Sequence, residues 1–222
     1  MLGTQTSVCG IVPGMWTLAP DRRTLWDAAG RRLDPARRVW TADRPPPDGL
    51  PLGDAEAVRW LQRESGSPCR PPVGVIGPRE PTPGQEAMAE VVGAGLADLG
   101  LVVLCGGRSG VMEAACRGVA SKGGLSVGLL PGEDWESANP YVTVPIATGI
   151  GVARNALIAR AALCLIAVGG GVGTLSEIAF GLQFGKPVFA LAGAPQVDGT
   201  VELDGWDALL PRVARVVLAV HP

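Results

Sequence analysis

Leu163-Cys164-Leu165-Ile166-Ala167-Val168-Gly169-Gly170-Gly171-Val172-Gly173-Thr174-Leu175-Ser176-Glu177 joins six apolar residues to a turn with four glycines in five positions, and then to a helical pattern. A short run that is apolar on both faces reads as a strand buried between helices, and glycines directly after it let the backbone turn sharply into the next helix. The same grammar occurs earlier, where Leu101 to Cys105 runs into Gly106-Gly107-Arg108-Ser109-Gly110.

Outward from these two points the alternation continues. Apolar runs predict strands over 73–76, 101–105, 126–130, 142–145, 163–168 and 187–191. Helical spacing predicts helices over 84–99, 110–122, 151–162, 174–184 and 206–220. Strands separated by helices imply right-handed crossovers. The fold class is therefore α/β: a Rossmann-like doubly wound parallel sheet with helices on both faces, over residues 69–222.

Residues 1–68 read differently, as a small β-rich N-terminal appendage. It holds four of the six tryptophans, candidate strands over 15–18, 24–26 and 38–41, and turns at Ala28-Ala29-Gly30 and Asp34-Pro35. A short helix capped by Asp54, with Ala57, Val58, Trp60 and Leu61 on its apolar face, leads to the linker Ser65-Gly66-Ser67-Pro68.

Composition narrows the function. With 222 residues, 47% hydrophobic and 18% charged, the chain can bury a sizeable core. A formal charge of -2 provides no field to draw in nucleic acid or an anionic membrane, and neither partner is expected. The five cysteines form no pair close in sequence, three lie in apolar runs, and a reducing cytoplasm is the expected location. The one histidine, His221, is penultimate, so imidazole catalysis and histidine-based metal sites are not expected; nor are a resident cofactor or metal.

In a doubly wound sheet the ligand lies beyond the carboxyl ends of the strands, where helix amino ends carry partial positive charge. Gly77 opens the first such loop, with Pro78, Arg79 and Glu80 behind it. Gly106, Gly107, Arg108, Ser109 and Gly110 form the second, and Gly170, Gly171, Gly173 and Thr174 belong to the last. Glycine amides reach an anion without a Cβ in the way, so a phosphate is the expected ligand group. Thr174-Leu175-Ser176-Glu177 also fits a capping box, in which Glu177 would merely satisfy free amides. No lysine follows the glycines as in a Walker A loop, and the first turn lacks GxGxxG. Glu177 and Arg154 are the candidates for chemistry, since both fall early in helices beside these loops.

The pair Gly106-Gly107-Arg108-Ser109-Gly110-Val111-Met112-Glu113 and Gly170-Gly171-Val172-Gly173-Thr174-Leu175-Ser176-Glu177 resembles the paired motifs of the LOG family, proteins long mislabelled lysine decarboxylases. The resemblance covers about half the chain. It implies a Rossmann-like homodimer or higher homo-oligomer and a phosphoribohydrolase that cleaves a nucleoside 5'-monophosphate to base and ribose 5-phosphate. On that footing Gly170, Gly171, Gly173 and Thr174 hold phosphate, while Glu177 and Arg154 are catalytic. Two positions depart from the family pattern: Gly169 stands where proline is usual, and Asn155 where lysine follows the arginine. Both departures resemble the branch with molybdenum cofactor carrier proteins, which implies a phosphorylated pterin bound but not transformed. Alanine-rich faces of the helices over 110–122 and 174–184 suit packing between subunits.

Overall fold

A computed structural model describes residues 16–46 and 48–220. The first residue of the expected strand over 15–18, one of the five cysteines (Cys9) and His221 lie outside them. The appendage is a five-stranded antiparallel sheet of β1 (Trp16–Leu18), β2 (Leu25–Trp26), β3 (Arg31–Asp34), β4 (Val39–Ala42) and β5 (Leu50–Leu52), in the order β4-β3-β2-β1-β5, followed by α1 (Asp54–Arg63). β3 and β5 were not expected. Arg31-Arg32 and Pro51 hide them from an apolar-run reading, yet Leu33 is buried and β5 is an edge strand, where proline costs no ladder bond. Asp54 begins α1 rather than capping it and instead accepts from Trp16 Nε1 at 2.8 Å.

The larger sheet contains β6 (Val73–Ile76), β7 (Val103–Cys105), β8 (Ser126–Leu130), β9 (Val144–Ala147), β10 (Leu165–Val168), β11 (Val188–Leu191) and β12 (Thr200–Glu202). All six pairings are parallel, in the order β12-β11-β10-β6-β7-β8-β9. β9 starts two residues after its expected position, because the Tyr141 and Thr143 amides are taken by the Asn139 and Ser126 side chains. β12 was missed, being short and polar at both ends.

Helices α2 (Pro83–Asp98), α3 (Val111–Ser121), α4 (Arg154–Ala161), α5 (Val172–Gln183) and α6 (Trp206–Val217) cover both faces. Against α2, α3 and α6 lies one core, which continues through Trp60, Leu18 and Leu25 into the small sheet; α4 and α5 close the other around Ile158, Leu165 and Ile178. The small residues of α3 do not await another subunit. A methyl on Gly93 would stand 2.1 Å from Ala115 O, and one on Gly118 2.1 Å from Glu90 O, so the glycines and alanines of α3 are used to bring α2 close within the chain.

The appendage docks at one end of this layer. Arg63 donates to the Ala97 and Asp98 carbonyls, Arg38 to Val217 O, and Trp40 Nε1 to Leu218 O. These are carbonyls of the last turns of α2 and α6, which basic and indole donors satisfy. Because each helix runs opposite to the parallel strands, the small sheet sits at the strands' amino ends.

Candidate functional site

The strand order fixes where a ligand can lie. From β6 the chain proceeds outward to β9, then returns to place β10 on the other side of β6. Adjacent loops leaving β6 and β10 therefore diverge, and the crevice between them is the position that doubly wound sheets use for ligands. A cavity of about 350 Å³ occupies it, lined by Gly77, Pro78 and Arg79 after β6, and by Gly171, Gly173, Thr174 and Glu177 after β10. Arg154 and Asn155 at the start of α4 form its side, with Met112, Pro131 and Val152.

Three of the helices that begin near this crevice, α2, α3 and α5, treat their free amides differently. At α2, the Thr82 hydroxyl accepts from Gln85 N while the Gln85 side chain accepts from Thr82 N, a capping box that leaves little for a ligand. The first amide of α3, on Val111, donates to Pro78 O at 3.1 Å. At α5 the cap is Gly171 and no side chain accepts from the first turn. Among the described residues the Val172, Gly173 and Thr174 amides have no protein acceptor, so α5 presents an open amino end to the crevice. Thr174 and Glu177 thus do not form a capping box.

Glu177 instead meets Arg154, with Arg154 Nη1 3.2 Å from Glu177 Oε1 and both side chains 8% exposed. Arg154 Nη1 also donates to Asn155 Oδ1 at 2.5 Å, Asn155 Nδ2 donates to Ser176 Oγ at 3.1 Å, and Ser176 Oγ donates to Gly173 O. This chain of contacts fixes the guanidinium against the glycine turn. Burial pushes the Glu177 carboxyl up to about 7, with Arg154 opposing the rise. Burial likewise lowers Arg154, which Glu177 offsets, and Arg79 adds a second positive charge nearby. An arginine pair with an open helix terminus suits a doubly charged oxyanion.

The two departures from the LOG pattern have structural reasons. Gly169 has φ +59 and its N–H donates to Leu191 O at 2.9 Å; proline could adopt neither that φ nor that bond. Lysine at 155 could not accept from Arg154 and would repel it.

Not every expected residue reaches the cavity. Gly77, Gly171, Gly173, Thr174, Glu177 and Arg154 line it; Gly170 lies just behind, against Pro195. Gly106, Gly107, Arg108, Ser109 and Gly110 are not among its walls. Gly106 backs the Arg154 guanidinium, where a Cβ would come within 2.3 Å of a nitrogen, and Gly110 leaves room for the Pro78 and Arg79 carbonyls. The second loop therefore supports the site from behind. Arg79 and Asn155 also line the cavity; the sequence offers Arg79 only as part of the first loop and Asn155 only as a departure from the LOG pattern, and names neither as a site residue.

Among the described residues no three His, Cys, Asp or Glu side chains converge as a metal site, and no helix is long and apolar enough to cross a membrane.

Fold and crevice define a Rossmann-like protein with a cavity at the switch point between β6 and β10. Within that class the chain belongs to the SLOG cluster4 family, which residues 70–208 match. An uncharacterized protein of Archaeoglobus fulgidus is 42% identical over 127 residues, 57% of this chain and 83% of the relative. Among solved structures, the molybdenum cofactor binding protein of the phototrophic bacterium Rippkaea orientalis is 31% identical with a TM-score of 0.64, covering 68% of this chain and 99% of that one. The molybdenum cofactor carrier protein of Chlamydomonas reinhardtii is 32% identical with a TM-score of 0.62, covering 67% and 99%.

Proposed function

We propose that this chain binds a phosphorylated pterin of the molybdenum cofactor type and carries it without chemical change. The observation that carries the reading is the uncapped amino end of α5, facing a cavity that Arg79 and Arg154 also border. Phosphate would rest on the Gly171 to Thr174 amides, and the flat ring system would lie along Val152, Pro131 and Met112. The likeness to two molybdenum cofactor proteins at 31% and 32% identity supports the same ligand class. Holding Arg154 through Asn155 and Glu177 favours binding over turnover, because the acid is committed to keeping a cation in place.

One feature favours a second reading, phosphoribohydrolysis of a nucleoside 5'-monophosphate. Glu177 reaches the cavity wall with its carboxyl near neutrality, where a general acid or base works best. The two readings separate in one experiment. Protein purified without added nucleotide is denatured and its released ligand identified by mass spectrometry, while a panel of 5'-monophosphates is assayed for free base. A pterin with no base release supports the carrier; base release abolished by Glu177→Gln establishes the hydrolase instead.

A homodimer belongs to this proposal. Val144 and Ile146 on the edge strand β9, Ile150 and Val152 before α4, Leu157 on α4 and Val172 at the start of α5 are all exposed apolar side chains, and Val152 also lines the crevice; exposed apolar surface of this kind suits a protein interface. Light scattering of the purified chain should give twice the 22.8 kDa chain mass, and a monomer removes this part of the reading.

A further inference from the structure

Under the cavity floor three sulfur side chains form one buried cluster: Cys105 at the end of β7, and Met112 and Cys116 on α3. Met112 and Cys116 are four residues apart and so share a helix face. The two thiol sulfurs stand 3.6 Å apart, and Gly107 N donates to Cys105 Sγ at 3.3 Å. Met112 also lines the cavity, so the cluster has a side open to ligand.

We propose that Cys105, Cys116 and Met112 form a binding site for one thiophilic monovalent cation of the Cu(I) class. Two thiolates and a thioether are soft donors, which select Cu(I) over hard cations. At a thiolate–metal distance of about 2.3 Å, sulfurs separated by 3.6 Å subtend an angle of about 100° at the ion, leaving a third position for the thioether. Binding replaces the two thiol protons, which pass to solvent, so ion and thiolates together carry one negative charge. Arg154, packed on Gly106 next to Cys105, offsets that charge. Zinc would need a further ligand, and no third His, Cys, Asp or Glu converges here among the described residues. The site is independent of whether the cavity holds a pterin or a nucleotide.

The test is anaerobic titration of the reduced full chain with Cu(I) held as its bicinchoninate complex, read as loss of the complex's colour. The wild type should withdraw one equivalent, and X-ray absorption should count three sulfurs. Cys105→Ser/Cys116→Ser should weaken uptake at least 100-fold. The milder Met112→Leu, which preserves packing volume, should weaken it about tenfold and leave two sulfurs. No uptake by the wild type, an undiminished equivalent in the double variant, or three sulfurs still present in Met112→Leu would each overturn the proposal. So would conversion of the pair to a disulfide with no metal retained.

Discussion

Two turns in this chain have nearly the same composition and do opposite things. Gly106-Gly107-Arg108-Ser109-Gly110 leaves β7, and Gly169-Gly170-Gly171-Val172-Gly173 leaves β10. In the first, glycine makes room for protein: Gly107 and Gly110 have φ of +67 and +75, and a Cβ on Gly110 would lie 2.4 Å from Arg79 O. In the second, Gly171 and Gly173 have open space where a side chain would be. What separates them is the strand each follows. β10 borders β6 at the reversal of strand order, whereas β7 borders β6 on its other side, away from the crevice and beneath the Pro78–Arg79 turn. Glycine enrichment after a strand marks a tight turn, and only topology decides whether its amides face a ligand or a neighbouring chain segment.

Substitution should therefore split the turns into one that fails by unfolding and one that fails by losing ligand. Gly110→Ala carries the largest effect. It combines a left-handed backbone, costing about 1–2 kcal/mol for a Cβ-bearing residue, with overpacking against two carbonyls, costing about 1–3 kcal/mol. A loss of about 3 kcal/mol should lower the melting temperature by about 10 °C. An unchanged calorimetric midpoint would show that the first turn is not a packed support. Gly173→Glu is the counterpart in the second turn. An acid in the first turn of α5 is favourable to the helix dipole by up to about 1 kcal/mol, so the fold should hold or gain. Anion affinity should nevertheless fall about 100-fold, near 2.7 kcal/mol, when read by calorimetric titration with the phosphorylated ligand.

The legible part of this molecule was whatever periodicity and glycine placement encode. β6 and β8 fall where apolar runs put them, and α2, α3, α5 and α6 lie within three residues of the expected bounds. Partnership was less legible. Arg31-Arg32 conceals β3 because its buried side chain is Leu33 alone, and β12 owes its existence to pairing with β11. Arg154 and Glu177 could be named from the sequence, but their ion pair spans 23 residues and its Asn155 support depends on how α4 meets α5. Cys105 and Cys116 looked unrelated for the same reason, being brought together by a strand end and a helix face. In each case the missing information was a contact between elements, which no local pattern contains.

Asn155→Lys probes the side of the comparison that composition cannot reach, since it leaves both glycine turns intact. The substitution deletes the acceptor for Arg154 Nη1 and the donor to Ser176, and adds a cation beside the guanidinium. With Arg154 displaced from the second turn, ligand affinity should fall about tenfold, near 1.4 kcal/mol. Asn155→Asp should retain most of the affinity, because its carboxylate still accepts from Arg154. Equal losses in both variants would show that Arg154 is not positioned through residue 155.

The smallest effect comes from Glu177, and its sign follows from burial. A carboxyl raised from an ordinary value of 4.5 to about 7 in the folded chain binds its proton more tightly folded than unfolded. Between those two pH values the native state holds more protons, so unfolding free energy falls as pH rises. The stabilising contribution is complete below about pH 4.5 and is lost as pH climbs through 7. With the opposing Arg154 charge already contained in that rise, the change between pH 5 and 7 should be on the order of 1–2 kcal/mol. Glu177→Gln cannot titrate and should flatten that part of a urea-unfolding profile, while Gly110→Ala should shift the whole profile without changing its slope. A wild-type profile already flat from pH 5 to 7 would mean that Arg154 fully neutralises the acid, and that the wall of the second turn carries a permanent ion pair.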